Sequence, residues 1–182
     1  MSTTPLADRM VGRVPQGGAV LRSGARVGDK IYVTGTLGGS TLGLELLRAG
    51  KKDGRAIERH LHPEPRHRVG VAVSKQSHAM TDISDGLSTD LTHIALSSGV
   101  TARIYKDRLP AEMGASEAQV LHGGEEYELI ITATELPASI EGVTLTCIGE
   151  IIPSAKDHQV LLVDGSTESV LRPRGWDHFK AK

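Results

Sequence analysis

The chain has 182 residues, with 21 Lys and Arg against 22 Asp and Glu and a formal net charge of −1. That suits one domain with a real core and offers no basic face for nucleic acid or for a membrane surface. The lone cysteine, Cys147, excludes an internal disulfide and fits a reducing compartment. No apolar run approaches the roughly 20 residues of a membrane helix, and the opening MSTTPLADRM lacks a signal-peptide core, so a cytoplasmic location is expected.

The first strand is predicted at 29–35, where DKIYVTG is β-branched and bounded by Gly28 and Gly35. A helix follows at 39–50, with Leu42, Leu46 and Leu47 at helical spacing and Gly50 as its cap. Beyond a polar, histidine-bearing patch, PEPRHRVGVAVSKQ (63–76) reads as a helix begun by proline. HAMTDIS is a short strand. From Gly86 the residues Leu87, Leu91, Ile94 and Ala95 mark an amphipathic helix that ends near Gly99. Four further strands are predicted at 100–106, 127–133, 143–152 and 159–165. Helices early and strands late argue for an α+β layered domain with a mixed sheet flanked by helices.

Several loops carry chemistry. DISDG sets Asp82, Ser84 and Asp85 where a strand becomes a helix. Ser84 or Asp85 could simply cap the helix. Equally, the carboxylates suit Mg²⁺ and the helix-start N–H groups suit a phosphate. HGGEEYEL (122–129) follows two glycines with three carboxylates, and alternation puts Glu126 and Glu128 on one face of a strand. By the surface preference of glutamate, that beginning reads as a solvated edge. Arg22 and Arg26 precede the first strand, and an arginine fork suits phosphate. Trp176, the only tryptophan, stands by the C-terminus, where it closes a small core or stacks on a flat ring. His60, His62 and His67 cluster in sequence, but without cysteine or His-x-x-x-His spacing they do not make a zinc site.

The order of these motifs, LRSGARVGDKIYVTGTLGGSTLGLELL, HPEPRHRVG, MTDISDGLSTDLTHIALSSGV, GGEEYEL and GWDHF, resembles the C-terminal half of the thiamine-monophosphate kinases. They belong to the AIR synthetase-related (PurM-like) superfamily, and the resemblance runs from about Gly12 to Phe179. It implies a PurM C-terminal-domain-like fold over 12–182. Residues 1–11 are then an extension or the remnant of an ATP-binding domain. It implies Mg²⁺-dependent transfer of the ATP γ-phosphoryl group to thiamine monophosphate, giving thiamine diphosphate, with no covalent or acid–base residue. By that resemblance Asp82 and Asp85 are Mg²⁺ ligands, Arg22 and Ser84 contact ATP, and Glu125 and Trp176 bind the substrate. The family usually has Glu-Asp-Tyr where this chain has Glu125-Glu126-Tyr127. The family's N-terminal domain, which carries its main ATP cleft and homodimer interface, has no counterpart among these motifs. The chain is therefore expected to be inactive alone. A non-catalytic scaffold, or a relative using another acceptor, is the alternative expectation.

Overall fold

The side chains of Ile31, Tyr32 and Val33 alternate between two faces of the first strand, and each face becomes the floor of its own core. The structure is a computed structural model that describes residues 13–154 and 159–175. In chain order its elements are β1 (Lys30–Thr34), α1 (Gly39–Arg48), α2 (Arg55–Leu61), α3 (His67–Val73), β2 (Ser77–Asp82), α4 (Leu87–Ser98) and β3 (Thr101–Tyr105). A single 3-10 turn (Lys106–Arg108) leads to α5 (Glu117–His122), β4 (Leu129–Ala133), β5 (Ser139–Ile140), β6 (Val143–Ile152), β7 (Val160–Asp164) and β8 (Thr167–Val170).

The strands form one mixed sheet in the order β2-β4-β1-β6-β3-β7-β8, with the short β5 paired to β6. All pairings are antiparallel except β3 with β7. On one face, Ile31, Val33, Ile130 and Ile104 pack with Leu87, Leu91 and Ile94 of α4. On the other, Tyr32, Ile131 and Leu145 pack with Val69 and Val73 of α3. Leu91 is fully buried, so truncating it to alanine costs roughly 2–5 kcal/mol by lost transfer energy and the cavity left behind.

The expected α+β class with a mixed, helix-flanked sheet holds, and the predicted strand at 143–152 matches β6 residue for residue. Three details differ. The helix expected to begin at proline begins at His67, because each proline of PEP disfavours helical backbone in the residue before it. The strand expected from 127 begins at Leu129, because Tyr127 has a left-handed backbone with φ 53° that cannot enter a ladder. Two short helices, α2 and α5, and two short strands, β5 and β8, were not anticipated. The proposed terminal segment 1–11 lies outside the described residues.

Candidate active site

Asp82 is the last residue of β2, and α4 starts five residues later. The turn between them is held by an aspartate the motif reading passed over. Oδ2 of Asp90, in the first turn of α4, accepts the N–H groups of Ser84, Asp85 and Gly86 at 3.1, 3.0 and 3.1 Å. Asp90 is 1% exposed. Burial pushes its carboxyl up to about 6, and the neighbouring Asp85 charge adds to the rise while the N–H donors oppose it. The capping expectation is thus corrected: neither Ser84 nor Asp85 caps α4, whose N-cap is Gly86 without a side-chain bond. The N–H groups of 84–86 are also spoken for, so they are not free to meet a phosphate. Gly86 has φ 114°, and a Cβ there would lie 2.7 Å from the His122 carbonyl oxygen. Only glycine fits this crossing of the turn over α5.

The acidic segment after α5 lies against that turn. The N–H of Glu125 donates to Ser84 O at 2.8 Å and that of Tyr127 to Ile83 O at 2.9 Å. A Cβ on Gly124 would come within 2.6 Å of Ser84 O, which explains the second glycine of the motif. The solvated-edge expectation fails here. Glu126 and Glu128 are 5% and 1% exposed and ion-paired to Arg59, with Arg66 also on Glu128. Burial still raises the Glu126 carboxyl, and the bond to Glu128 raises Arg66. Glu125 and Tyr127 face outward, where the Tyr127 hydroxyl donates to Glu125 Oε2 at 2.9 Å.

Ser84, Asp85 and Glu125 line one cavity of about 680 Å³, with Thr41, Leu44, Glu45 and His60 on one wall and Ala118, Gln119 and His122 on another. Its histidines are oriented from behind, His60 Nδ1 by the Ser40 hydroxyl at 2.9 Å and His122 Nδ1 by the Ser88 hydroxyl at 2.8 Å. Burial, and then the Arg174 charge, lower the His122 imidazole. Asp82 and Arg22 do not line this cavity. They are linked through Thr81: Arg22 Nε donates to Thr81 Oγ1 at 3.1 Å, and that hydroxyl reaches Asp82 Oδ1 at 3.5 Å. Trp176 lies outside the described residues, although the chain passes the cavity at Arg174 and Gly175.

Among the described residues no cluster of three or more acidic, histidine or cysteine side chains is arranged to hold a metal ion. Asp82 and Asp85 carry carboxylates of the chemistry that Mg²⁺ takes. Both are partly exposed, and neither is ion-paired to a described cation. Mg²⁺ is commonly held by one or two carboxylates, the other positions being filled by water and phosphate oxygens. The residues missed in sequence were Asp90, Arg59 and Arg66. An aspartate in the first turn was a readable signal for the first. The arginines gave none, since the buried carboxylates they hold lie 62 to 69 positions away.

A sequence profile of the AIR synthase related protein C-terminal domain matches residues 26–156. The thiamine-monophosphate kinase of Salmonella typhimurium is 38% identical over 189 residues, covering 92% of this chain and 58% of that protein. The crystal structure of thiamine monophosphate kinase from Aquifex aeolicus superposes with a TM-score of 0.73 at 34% identity, over 85% of this chain and 55% of that one. AaThiL complexed with AMPPCP and TMP superposes with a TM-score of 0.74 at 35% identity, over 88% of this chain and 54% of that one. The chain spans little more than half the length of these relatives.

Proposed function

Because the chain belongs to the AIR synthase related proteins through their C-terminal domain, we propose that it serves a thiamine-monophosphate kinase. That enzyme transfers the γ-phosphoryl group of ATP to thiamine monophosphate and yields thiamine diphosphate. The observation that carries the reading is the single cavity lined by Ser84, Asp85 and Glu125, in a fold shared with a relative complexed with AMPPCP, an ATP analogue, and TMP.

Phosphoryl transfer between two phosphates asks for alignment and charge neutralisation more than for acid–base groups. Glu125, an exposed carboxylate steadied by the Tyr127 hydroxyl, faces the permanent positive charge of the thiazolium ring. Leu44 and Ala118 supply apolar wall for the flat heterocycles, and Trp176 is assigned the stacking role. Ser84 and Arg22 contact ATP phosphates. Asp82 and Asp85 would hold Mg²⁺, which when bound neutralises phosphate charge and orients the phosphoryl oxygens. Such an enzyme works in the cytoplasm as a homodimer joined through a domain other than this one. Among the described residues no helix is long and apolar enough to cross a membrane.

Calorimetric titration of the chain with thiamine monophosphate, and separately with Mg-ATP, tests the reading. Binding of thiamine monophosphate, abolished by Glu125→Ala, supports it. No heat with either ligand overturns it in favour of a non-catalytic scaffold.

A further inference from the structure

Four charged side chains, Arg59, Arg66, Glu126 and Glu128, line a second cavity of about 350 Å³, and the chemistry above does not use them. Glu128 Oε2 accepts from the Thr34 hydroxyl at 2.6 Å and from Arg66 Nε at 2.7 Å. Its Oε1 accepts from Arg66 Nη2 at 2.8 Å and Arg59 Nη2 at 3.2 Å. Glu126 takes Arg59 Nη2 on Oε2 at 3.2 Å and the N–H of Ser40, in the first turn of α1, on Oε1 at 3.0 Å. Arg59 also holds the loop after β1, donating to Thr36 O at 2.8 Å and to Thr36 Oγ1 at 3.0 Å. One guanidinium thereby joins α2, the loop after β1 and the 126–128 segment.

Stability alone is a poor reason for such a network, because replacing buried ion pairs by apolar side chains is often neutral or stabilising. What the network does is fix direction. With Glu126 and Glu128 drawn inward, Glu125 and Tyr127 must turn outward, and both have left-handed backbones, φ 60° and 53°. Non-glycine residues stay in that region only where their surroundings over-determine it. The same segment is fastened to the DISDG turn, since Ile83 donates its N–H to Glu128 O at 2.8 Å. We propose that Arg59 and Arg66 are positioning residues: by anchoring Glu126 and Glu128 they impose the left-handed backbone that presents Glu125 to the cavity. The substrate-binding half of this inference rests on the function proposed above; the backbone half does not.

Arg59→Met removes the fork while keeping an apolar stem, Arg59→Lys keeps the charge without the fork, and Glu126→Gln keeps the acceptor for Ser40 without the charge. Two readouts are taken on the full chain. Backbone coupling constants at Glu125 and Tyr127 distinguish a positive φ from an extended one, and calorimetry measures affinity for thiamine monophosphate. Arg59→Met is expected to lose the positive-φ signature at both residues and to bind about tenfold to a hundredfold more weakly. Glu126→Gln should give a smaller loss in the same direction, and Arg59→Lys partial rescue. If Arg59→Met does not fold, Arg59→Lys and Glu126→Gln decide by the same readouts. Retention of positive φ at both residues in the folded variants, with only a lowered melting temperature, would overturn the inference. A wild-type chain that binds no thiamine monophosphate would refute the proposed function while the couplings still judged the positioning role.

Discussion

Replacing Asp90 with alanine takes away the acceptor that closes the turn before α4, and the cost can be worked out from its three partners. Gly86 is buried, whereas Ser84 and Asp85 are half-exposed at the cavity. One buried donor stranded costs about 2 kcal/mol and two that water can reach about 0.5 kcal/mol each. Removing a carboxylate that burial disfavours returns part of this, so the net loss is about 2 kcal/mol. For a chain of this size that lowers the melting temperature by roughly 4–8 °C. The native carboxyl titrates near 6, above the roughly 4 of an unfolded aspartate, so the native state holds this proton more tightly. The part of the stability that comes from this proton is therefore greatest below pH 4, falls as pH rises, and is lost above pH 6, while the N–H bonds to the carboxylate remain. Asp90→Asn should lack that slope. Thermal unfolding of the wild type and both variants between pH 4 and 8, followed by circular dichroism, measures all of this. An alanine variant within about 0.5 kcal/mol of wild type, or an asparagine variant with an unchanged slope between pH 4 and 6, would refute the reasoning.

Asp85→Asn, placed in an enzyme that carries both halves of the site, should lower turnover about 10²-fold or more with the circular dichroism spectrum unchanged; an unaltered rate would remove Asp85 from the metal site. Gly86→Ala should destabilise by about 2 kcal/mol or more, measured by urea unfolding, because φ 114° is glycine territory and the His122 carbonyl fills the space. This chain alone, given Mg-ATP and thiamine monophosphate, should form no thiamine diphosphate at a rate near 1 per second, the low end for kinases; product at that rate would show that the walls described here suffice.

The long elements were readable because their periodicity is strong. KIYVT alternates over two cores and becomes β1, and Leu87, Leu91, Ile94 and Ala95 form the buried stripe of α4. The short helices α2 and α5 were not, since seven and six residues give too few turns for a stripe to show and no proline marks their start as it does before α3. α5 did leave a mark: Ser116 and Gln119 form a capping box, a spacing visible in SEAQ. Ser84, Asp85 and Glu125 were nominated in sequence and meet in one cavity. The inward turn of Glu126 and Glu128 could not be read, because the general rule for glutamate is set by hydration and is reversed only by arginines distant along the chain. The same holds for the backbone at Glu125, whose strain is imposed from outside its own segment.

The place of β4 between β2 and β1 has a consequence for how the protein is made. β1 ends at Thr34 and β2 at Asp82, yet β4, which pairs with both, begins at Leu129, and β1's other neighbour, β6, begins at Val143. At a synthesis rate of about 5–20 residues per second, β1 leaves the ribosome about 5–20 s before its partners exist. During that interval KIYVT is an unpaired apolar strand, open to wrong pairing with other nascent chains. A chain released before residue 129 lacks both strands that pair with β1, and it cannot shelter that edge at all.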